Sequence, residues 1–184
     1  MTKNALRSHF KQQRRNLTHN AKITAERAIG QHWQQRQPSL TKIGSYLATG
    51  VECATAALHK DCWQQQQQHI FIPLITQPGY FRELHADSRL MKTALGIQEP
   101  LDGPLVTVDH LDLLLIPLLA IDQQGYRLGY GGGFYDQLLA QCTKKPLLIG
   151  VGFQEQWLDT LPHDPWDIPL DGFLSEKGWY FFNP

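Results

Sequence analysis

Apolar residues recur along this chain with a period that switches several times between helical and strand spacing, and each switch predicts an element. In residues 2–16, Ala5, Leu6 and Phe10 share one helical stripe while Lys3, Arg7, Lys11, Arg14 and Arg15 lie off it, which predicts an amphipathic helix with a basic face. A second helix follows, N-capped by Thr18 or Asn20, with Ala25, Ala28, Ile29 and Trp33 on one side before Pro38 ends the pattern. Residues 43–48 read as a strand and 54–67 as its crossover helix; 69–74 and 80–84 read as further strands, and 88–95 as a brief helix. Residues 111–117 carry the most apolar strand pattern, as a central strand covered on both faces should. A helix over 134–140, a buried strand over 146–153, an irregular proline-rich stretch over 161–169 and a short strand over 172–175 complete the series. This alternation predicts a single α/β domain over residues 1–184, built as three α/β/α layers around a largely parallel sheet.

Composition narrows the partners. At 184 residues the chain is long enough for one substantial core. Its 17 basic and 17 acidic residues cancel, which argues against a nucleic-acid partner. The longest apolar run, residues 113–121, is too short to span a bilayer and contains Pro117, so no membrane partner is expected. Without an apolar leader-like stretch at the start, the expected setting is cytoplasmic, with a monomer as the default state. Cys53, Cys62 and Cys142 have neither CxxC spacing nor an even count, so they read as reduced packing residues.

The candidate chemistry is concentrated in Arg127-Leu128-Gly129-Tyr130-Gly131-Gly132-Gly133-Phe134-Tyr135-Asp136. Four glycines permit positive φ and let a ligand approach without meeting a Cβ, so successive N–H groups can form an anion-binding nest ahead of a helix N-terminus. Arg127 offers a planar fork for phosphate oxygens and Asp136 a carboxylate for Mg²⁺. The spacing fits neither standard nucleotide loop. Phe134 stands where the third glycine of G-x-G-x-x-G would be, and no Gly-Lys-Ser/Thr is present. Ser45 and Ser175 lack a nucleophile elbow, and the eight histidines show no zinc spacing, which leaves oxygen ligands such as Asp136 and Asp167 as the candidate metal set. Two further positions carry alternatives. Lys3 and Arg7, one turn apart, belong either to a solvated face or to a phosphate site. Glu52, beyond the first predicted strand, either accepts hydrogen bonds from a ligand or complements a helix dipole.

Residues 115–136, Leu-Ile-Pro-Leu-Leu-Ala-Ile-Asp-Gln-Gln-Gly-Tyr followed by the decapeptide, resemble the signature of the 5-formyltetrahydrofolate cyclo-ligase family. Lys3, Arg7, Glu52, Glu99-Pro100 and Trp166-Asp167-Ile168-Pro169 agree with the same family along nearly the whole length, and Phe134 departs only by replacing a common tyrosine. The resemblance implies conversion of 5-formyltetrahydrofolate and ATP to 5,10-methenyltetrahydrofolate, ADP and phosphate, with Mg²⁺, through a phosphorylated imidate. It further implies ATP contacts at Lys3, Asn4, Ala5, Leu6 and Arg7 and along Arg127 to Tyr135, with Arg127 and Asp136 as the catalytic pair. Folate contacts are implied at Leu47, Glu52 and Tyr130 to Phe134, and Mg²⁺ ligation at Asp136 and Asp167. Leu47 and Asp167 also have plainer readings, as core and as a turn cap. Rival functions are a sugar-phosphate or coenzyme A enzyme on a similar scaffold and a non-catalytic folate store.

Overall fold

A computed structural model describes residues 1–36, 40–65 and 68–182. The first helix, α1 (Lys3–Asn16), is capped by Thr2, whose hydroxyl accepts from the Ala5 N–H. Thr18 caps α2 (His19–Arg36), its Oγ1 accepting from the Ala21 N–H at 3.2 Å. Then come β1 (Lys42–Gly44), α3 (Ala56–Gln65), β2 (His69–Pro73), β3 (Tyr80–Leu84), β4 (Leu90–Lys92), β5 (Gln98–Pro100) and β6 (Leu105–Thr107). The second half contains β7 (Leu113–Pro117), β8 (Ala120–Asp122), β9 (Arg127–Leu128), α4 (Phe134–Ala140), β10 (Leu147–Val151), β11 (Trp157–Leu158), β12 (Gly172–Ser175) and β13 (Gly178–Phe181). Pro38 and the predicted helical residues 66–67 lie outside the described residues.

Eight strands form the main sheet in the order β13-β12-β10-β7-β1-β2-β3-β6. The five in the middle, β12, β10, β7, β1 and β2, run parallel, and β13, β3 and β6 pair antiparallel at the two sides. Strand alternation sorts the core into two faces. Ile70, Ile72, Leu113, Leu115, Ile149 and Val151 meet Ile29 and Trp33 of α2 and Leu58 and Cys62 of α3. Phe71, Leu114, Ile116, Leu148 and Phe173 point the other way, to Leu138 and Leu139 of α4. Every residue of β7 is buried, so its near-continuous apolar run needs cover on both sides, and each fully buried Leu or Ile there contributes about 1.5–3 kcal/mol. The expected three-layer α/β/α architecture with a largely parallel sheet is what the chain builds.

The connections create a switch point. Through α3, β1 leads to β2 on one side; through α4, β7 leads to β10 on the other, so the crevice outside the carboxyl ends of β1 and β7 is left open. A small sheet, β11-β8-β9, stands beside it, and Leu6 and Phe10 of α1 pack there with Leu119, Ala120, Leu128 and Leu161. Buried Gln156 fixes the bend between β7 and β8, its Nε2 donating to the carbonyls of Leu118 and Leu119 at 2.8 and 2.9 Å.

One predicted element is corrected. Residues 88–95 hold β4, which pairs antiparallel with β5, rather than a helix. The turn between them places Gly96 at φ 78°, with its N–H donating to Thr93 O, and the Thr93 N–H donates to Ile97 O across the hairpin. The apolar run over 113–121 also divides into two strands at the Gln156-supported bend, and of the first predicted strand, 43–48, only Ile43 and Gly44 pair on both sides.

Candidate functional site

A cavity of about 660 Å³ occupies the switch-point crevice. Four separate parts of the chain converge on it: Lys3 and Arg7 of α1, the segment from Tyr46 to Glu52 after β1, the β9–α4 loop with its flanks, and the turn holding Asp164, Trp166 and Asp167. Pro73 at the end of β2 and Pro117 at the end of β7 form part of its floor, and Leu95 and Ile97 of the β4–β5 hairpin stand at its side.

The glycine loop is held at both ends. Arg127 pairs with Ile121 across the β8–β9 hairpin and Leu128 is buried, while α4 is anchored by Leu138 and Leu139. Between these ends Gly131 and Gly133 take φ of 107° and 65°, conformations that side-chain-bearing residues rarely adopt. Gly133 is the N-cap of α4 and supplies no side-chain cap, so the first turn of this helix, whose residues line the cavity, starts without one. Around Gly129 and Gly132 an added Cβ would meet nothing within 4 Å, so these two glycines are not required by packing.

Charged side chains brace the loop. Arg7 donates from Nε to Gly129 O at 3.0 Å and from Nη1 to Asn4 Oδ1 at 2.7 Å. Arg127 is almost fully buried; its Nη2 donates to Asp136 Oδ1 at 2.7 Å and its Nη1 to Ile168 O at 2.8 Å. Lys3 Nζ donates to both Asp164 Oδ2 and Asp167 Oδ2, at 2.5 and 2.6 Å. Burial pulls the Lys3 ammonium down, but these two carboxylates outweigh it and hold its pKa above the usual lysine value. Burial likewise pushes the Asp167 carboxyl up, and its hydrogen bonds from Lys3 and the Asp164 N–H, with the charges of Lys3 and Arg127, bring it below the usual carboxylate range.

Glu52 lies in a tight turn, its Oε2 accepting from the Thr49 N–H at 2.7 Å and Thr49 Oγ1 at 3.0 Å. Burial raises its pKa in spite of those bonds. Since α3 begins at Ala56, Glu52 stands outside the first helical turn, and its alternative role as a dipole complement falls away. Leu47 both lines the cavity and packs against the core, so its two readings coexist. The same holds for Asp167, which caps the turn by accepting from the Asp164 N–H at 2.7 Å and also faces the cavity.

Of residues 3–7, Lys3 and Arg7 line the cavity. Leu6 is buried in the α1 cluster, Ala5 is exposed, and Asn4 reaches the site through Arg7. Arg127 to Asp136 all line it. Sequence periodicity missed Arg14, which reads as part of a basic face yet is 1 % exposed. Its guanidinium donates to Leu118 O at 3.1 Å and to the Tyr130 hydroxyl, and lies 5.5 Å from the Tyr130 ring centroid. The signal available was position: Arg14 follows Phe10 by one turn, on the buried stripe. Asp164 was also missed, and its spacing of three from Asp167 shows its meaning only once Lys3 is brought between them. Glu99 is buried, accepting from the Ile75 and Thr76 N–H groups.

Comparison with known proteins places the chain in a family. The family model described as the 5-formyltetrahydrofolate cyclo-ligase family matches residues 1–176. A 5-formyltetrahydrofolate cyclo-ligase of Haemophilus influenzae is 31% identical over 180 residues, covering 92% of this chain and 95% of that enzyme. The solution NMR structure of Aquifex aeolicus 5,10-methenyltetrahydrofolate synthetase superimposes with a TM-score of 0.86 at 26% identity, covering 100% of this chain and 94% of that one. The 5,10-methenyltetrahydrofolate synthetase of Mycoplasma pneumoniae does so with a TM-score of 0.76 at 25% identity, covering 96% and 99%. A match to nearly the whole length in sequence, joined to the same fold, means that the chain belongs to the 5-formyltetrahydrofolate cyclo-ligase family.

Proposed function

We propose that this cavity closes 5-formyltetrahydrofolate to 5,10-methenyltetrahydrofolate at the expense of ATP, releasing ADP and phosphate. The observation that carries the reading is the convergence on one crevice of two cationic side chains from α1, a glycine loop with two left-handed residues, and a partly buried carboxylate at Glu52. A formyl amide is a poor electrophile and its oxygen a poor leaving group, so N10 of the folate does not close the ring unaided. Transfer of the γ-phosphoryl group to the formyl oxygen gives an imidate phosphate and ADP; N10 then attacks the formyl carbon, phosphate leaves with that oxygen, and the N10 proton is released to solvent.

Such chemistry asks for positioning and charge stabilisation more than for a nucleophilic side chain. In this reading Lys3, Arg7 and the loop N–H groups hold the ATP phosphates. Arg127 stabilises the charge of the transferring group. Glu52 accepts hydrogen bonds from the pterin amino group and ring N–H, with Leu47 against the ring. Tyr130 and Phe134 face the flat ring of the folate, while the loop N–H groups face phosphate.

Magnesium fits this set in a particular way. Among the described residues no trio of His, Cys, Asp or Glu is placed to hold an ion, yet Asp164 and Asp167 already share one cation, the Lys3 ammonium. Mg²⁺ is commonly held by one or two carboxylates together with substrate phosphates, and Asp136 and Asp167 would supply the protein share. When bound it neutralises phosphate charge. A one-domain, cytoplasmic, monomeric enzyme is the form proposed from the sequence; separately, no described helix is long and apolar enough to cross a membrane. The test is direct: incubate the protein with 5-formyltetrahydrofolate and Mg-ATP and follow the near-ultraviolet absorbance of the methenyl product. Product should accumulate only with ATP. Its absence from a folded sample overturns the reading.

A further inference from the structure

We infer that Trp166 is the platform on which the purine base of ATP stacks. The inference rests on the reading of the cavity as an ATP site and assigns the one end of that site for which no recognition group has been named.

All five tryptophans are among the described residues, and four are occupied. Trp33 and Trp179 stack on one another, Trp63 donates to Leu84 O, and Trp157 packs between Phe173, Tyr180 and Phe182. Trp166 is 70% exposed and, among the described residues, makes no hydrogen bond or ring contact, although it lines the cavity. An indole left in water on a mobile loop would mean little. This one sits on a segment fixed at several points. His163 stacks on Tyr126 at 3.7 Å between ring centroids. The Asp167 N–H donates to Asp164 O at 3.0 Å and the Asp164 N–H to Asp167 Oδ2, while Pro165 restricts the backbone in between. Lys3 holds both carboxylates, and Ile168 O accepts from the buried Arg127. The backbone is therefore pinned on either side of a large flat side chain that has no partner of its own, which is the arrangement of a preorganised stacking surface.

Position selects the ring. Trp166 lies between two residues bonded to Lys3, on the cationic side of the cavity, whereas Glu52 and Leu47 approach from the β1–α3 connection. A triphosphate held by Lys3, Arg7 and the glycine loop brings its own base to Trp166 and leaves the pteridine to Glu52.

The test compares Trp166→Ala and Trp166→Phe with the wild-type enzyme, measuring KM for ATP, KM for 5-formyltetrahydrofolate and inhibition by inorganic tripolyphosphate, which carries the phosphates without a base. Because the side chain is mostly in solvent, the variants should keep the wild-type melting temperature. Loss of stacking should raise KM for ATP by about 5- to 150-fold in Trp166→Ala, with Phe restoring most of it. Folate KM and tripolyphosphate inhibition should stay at wild-type values. An unchanged ATP KM in Trp166→Ala, an equal weakening of ATP and tripolyphosphate, or a shift confined to folate each overturns the platform. If the wild-type enzyme neither consumes ATP nor responds to tripolyphosphate, the ATP-site reading itself has failed; normal wild-type kinetics with an unaffected alanine variant sink the platform alone.

Discussion

At the scale of single residues, the site depends on guanidinium groups whose positions are not free to vary. Arg127 is 5% exposed and bonded at once to Asp136 and to the carbonyl of Ile168, so it joins the glycine-loop helix to the 163–168 segment while facing the cavity. In the proposed reaction, a charge fixed in this way needs no reorganisation as phosphate charge develops beside it. Arg127→Ala should lower kcat/KM by about 10²–10³-fold, the usual cost of removing one preorganised donor. It should also lower the melting temperature, because Asp136 loses its partner in a half-buried setting. Arg127→Lys keeps the charge without the fork, so it should recover stability more than turnover. Unchanged turnover in Arg127→Ala would remove the residue from the chemistry. Arg14 shows how a residue's role is hidden in a linear reading. It counts as surface charge until α1 docks on the β8–β9 hairpin and turns it toward Tyr130 and Leu118 O.

At the scale of elements, the glycine loop separates two uses of glycine that the sequence runs together. Gly131 and Gly133 are required by backbone conformation, whereas Gly129 and Gly132 have ordinary φ and open space where a Cβ would go. Gly132→Ala should therefore leave the melting temperature nearly unchanged, and any rise of tenfold or more in KM for ATP or folate then reports a ligand pressed against that backbone. Gly131→Ala should be destabilised by about 1 kcal/mol or more, since its φ of 107° is strained for alanine even though the added carbon would meet Arg7 only at ordinary contact, 3.5 Å. Wild-type kinetics in Gly132→Ala would show that the space is not used by a substrate. The strand–loop–helix order around these glycines was legible because β7 and α4 have clear periods, and α4 spans the residues its pattern predicts. The β4–β5 hairpin was not. Its apolar residues Leu90, Met91 and Leu95 are exposed, so no core face imposed a strand period on them, and helical propensity filled the gap in the reading. Short β9 and β11, of two residues each, are likewise too brief to carry a pattern.

At the scale of the molecule, the first helix and the C-terminal turn are joined by contacts that no local pattern announces: Lys3 meets Asp164 and Asp167 across more than 160 positions of chain. The family signature pointed to Lys3 and Asp167, which both line the cavity, but their ion cluster follows only from the way β1, β7 and the small sheet bring both ends of the chain to one crevice. That cluster gives the enzyme a defined dependence on pH. The Asp167 carboxyl is held below its ordinary value of 3.8, so its contribution to stability is complete above about that pH and is lost as pH falls through the lower folded value. The Lys3 ammonium is raised above 10.5, so its contribution is complete below about that pH and is lost as pH rises through the higher folded value. Across the neutral range both are in place. Lys3→Met removes the ammonium and leaves two carboxylates side by side, which repel while both are ionised. The variant should be less stable than wild type at pH 7. The gap should narrow as pH falls below about 4 and protonation removes the repulsion, and it should persist unchanged between pH 6 and 9. Urea unfolding of both proteins over this range measures the difference at each pH. A gap independent of pH would mean that Lys3 stabilises through packing alone, and that its two carboxylate partners contribute no net charge term to the fold.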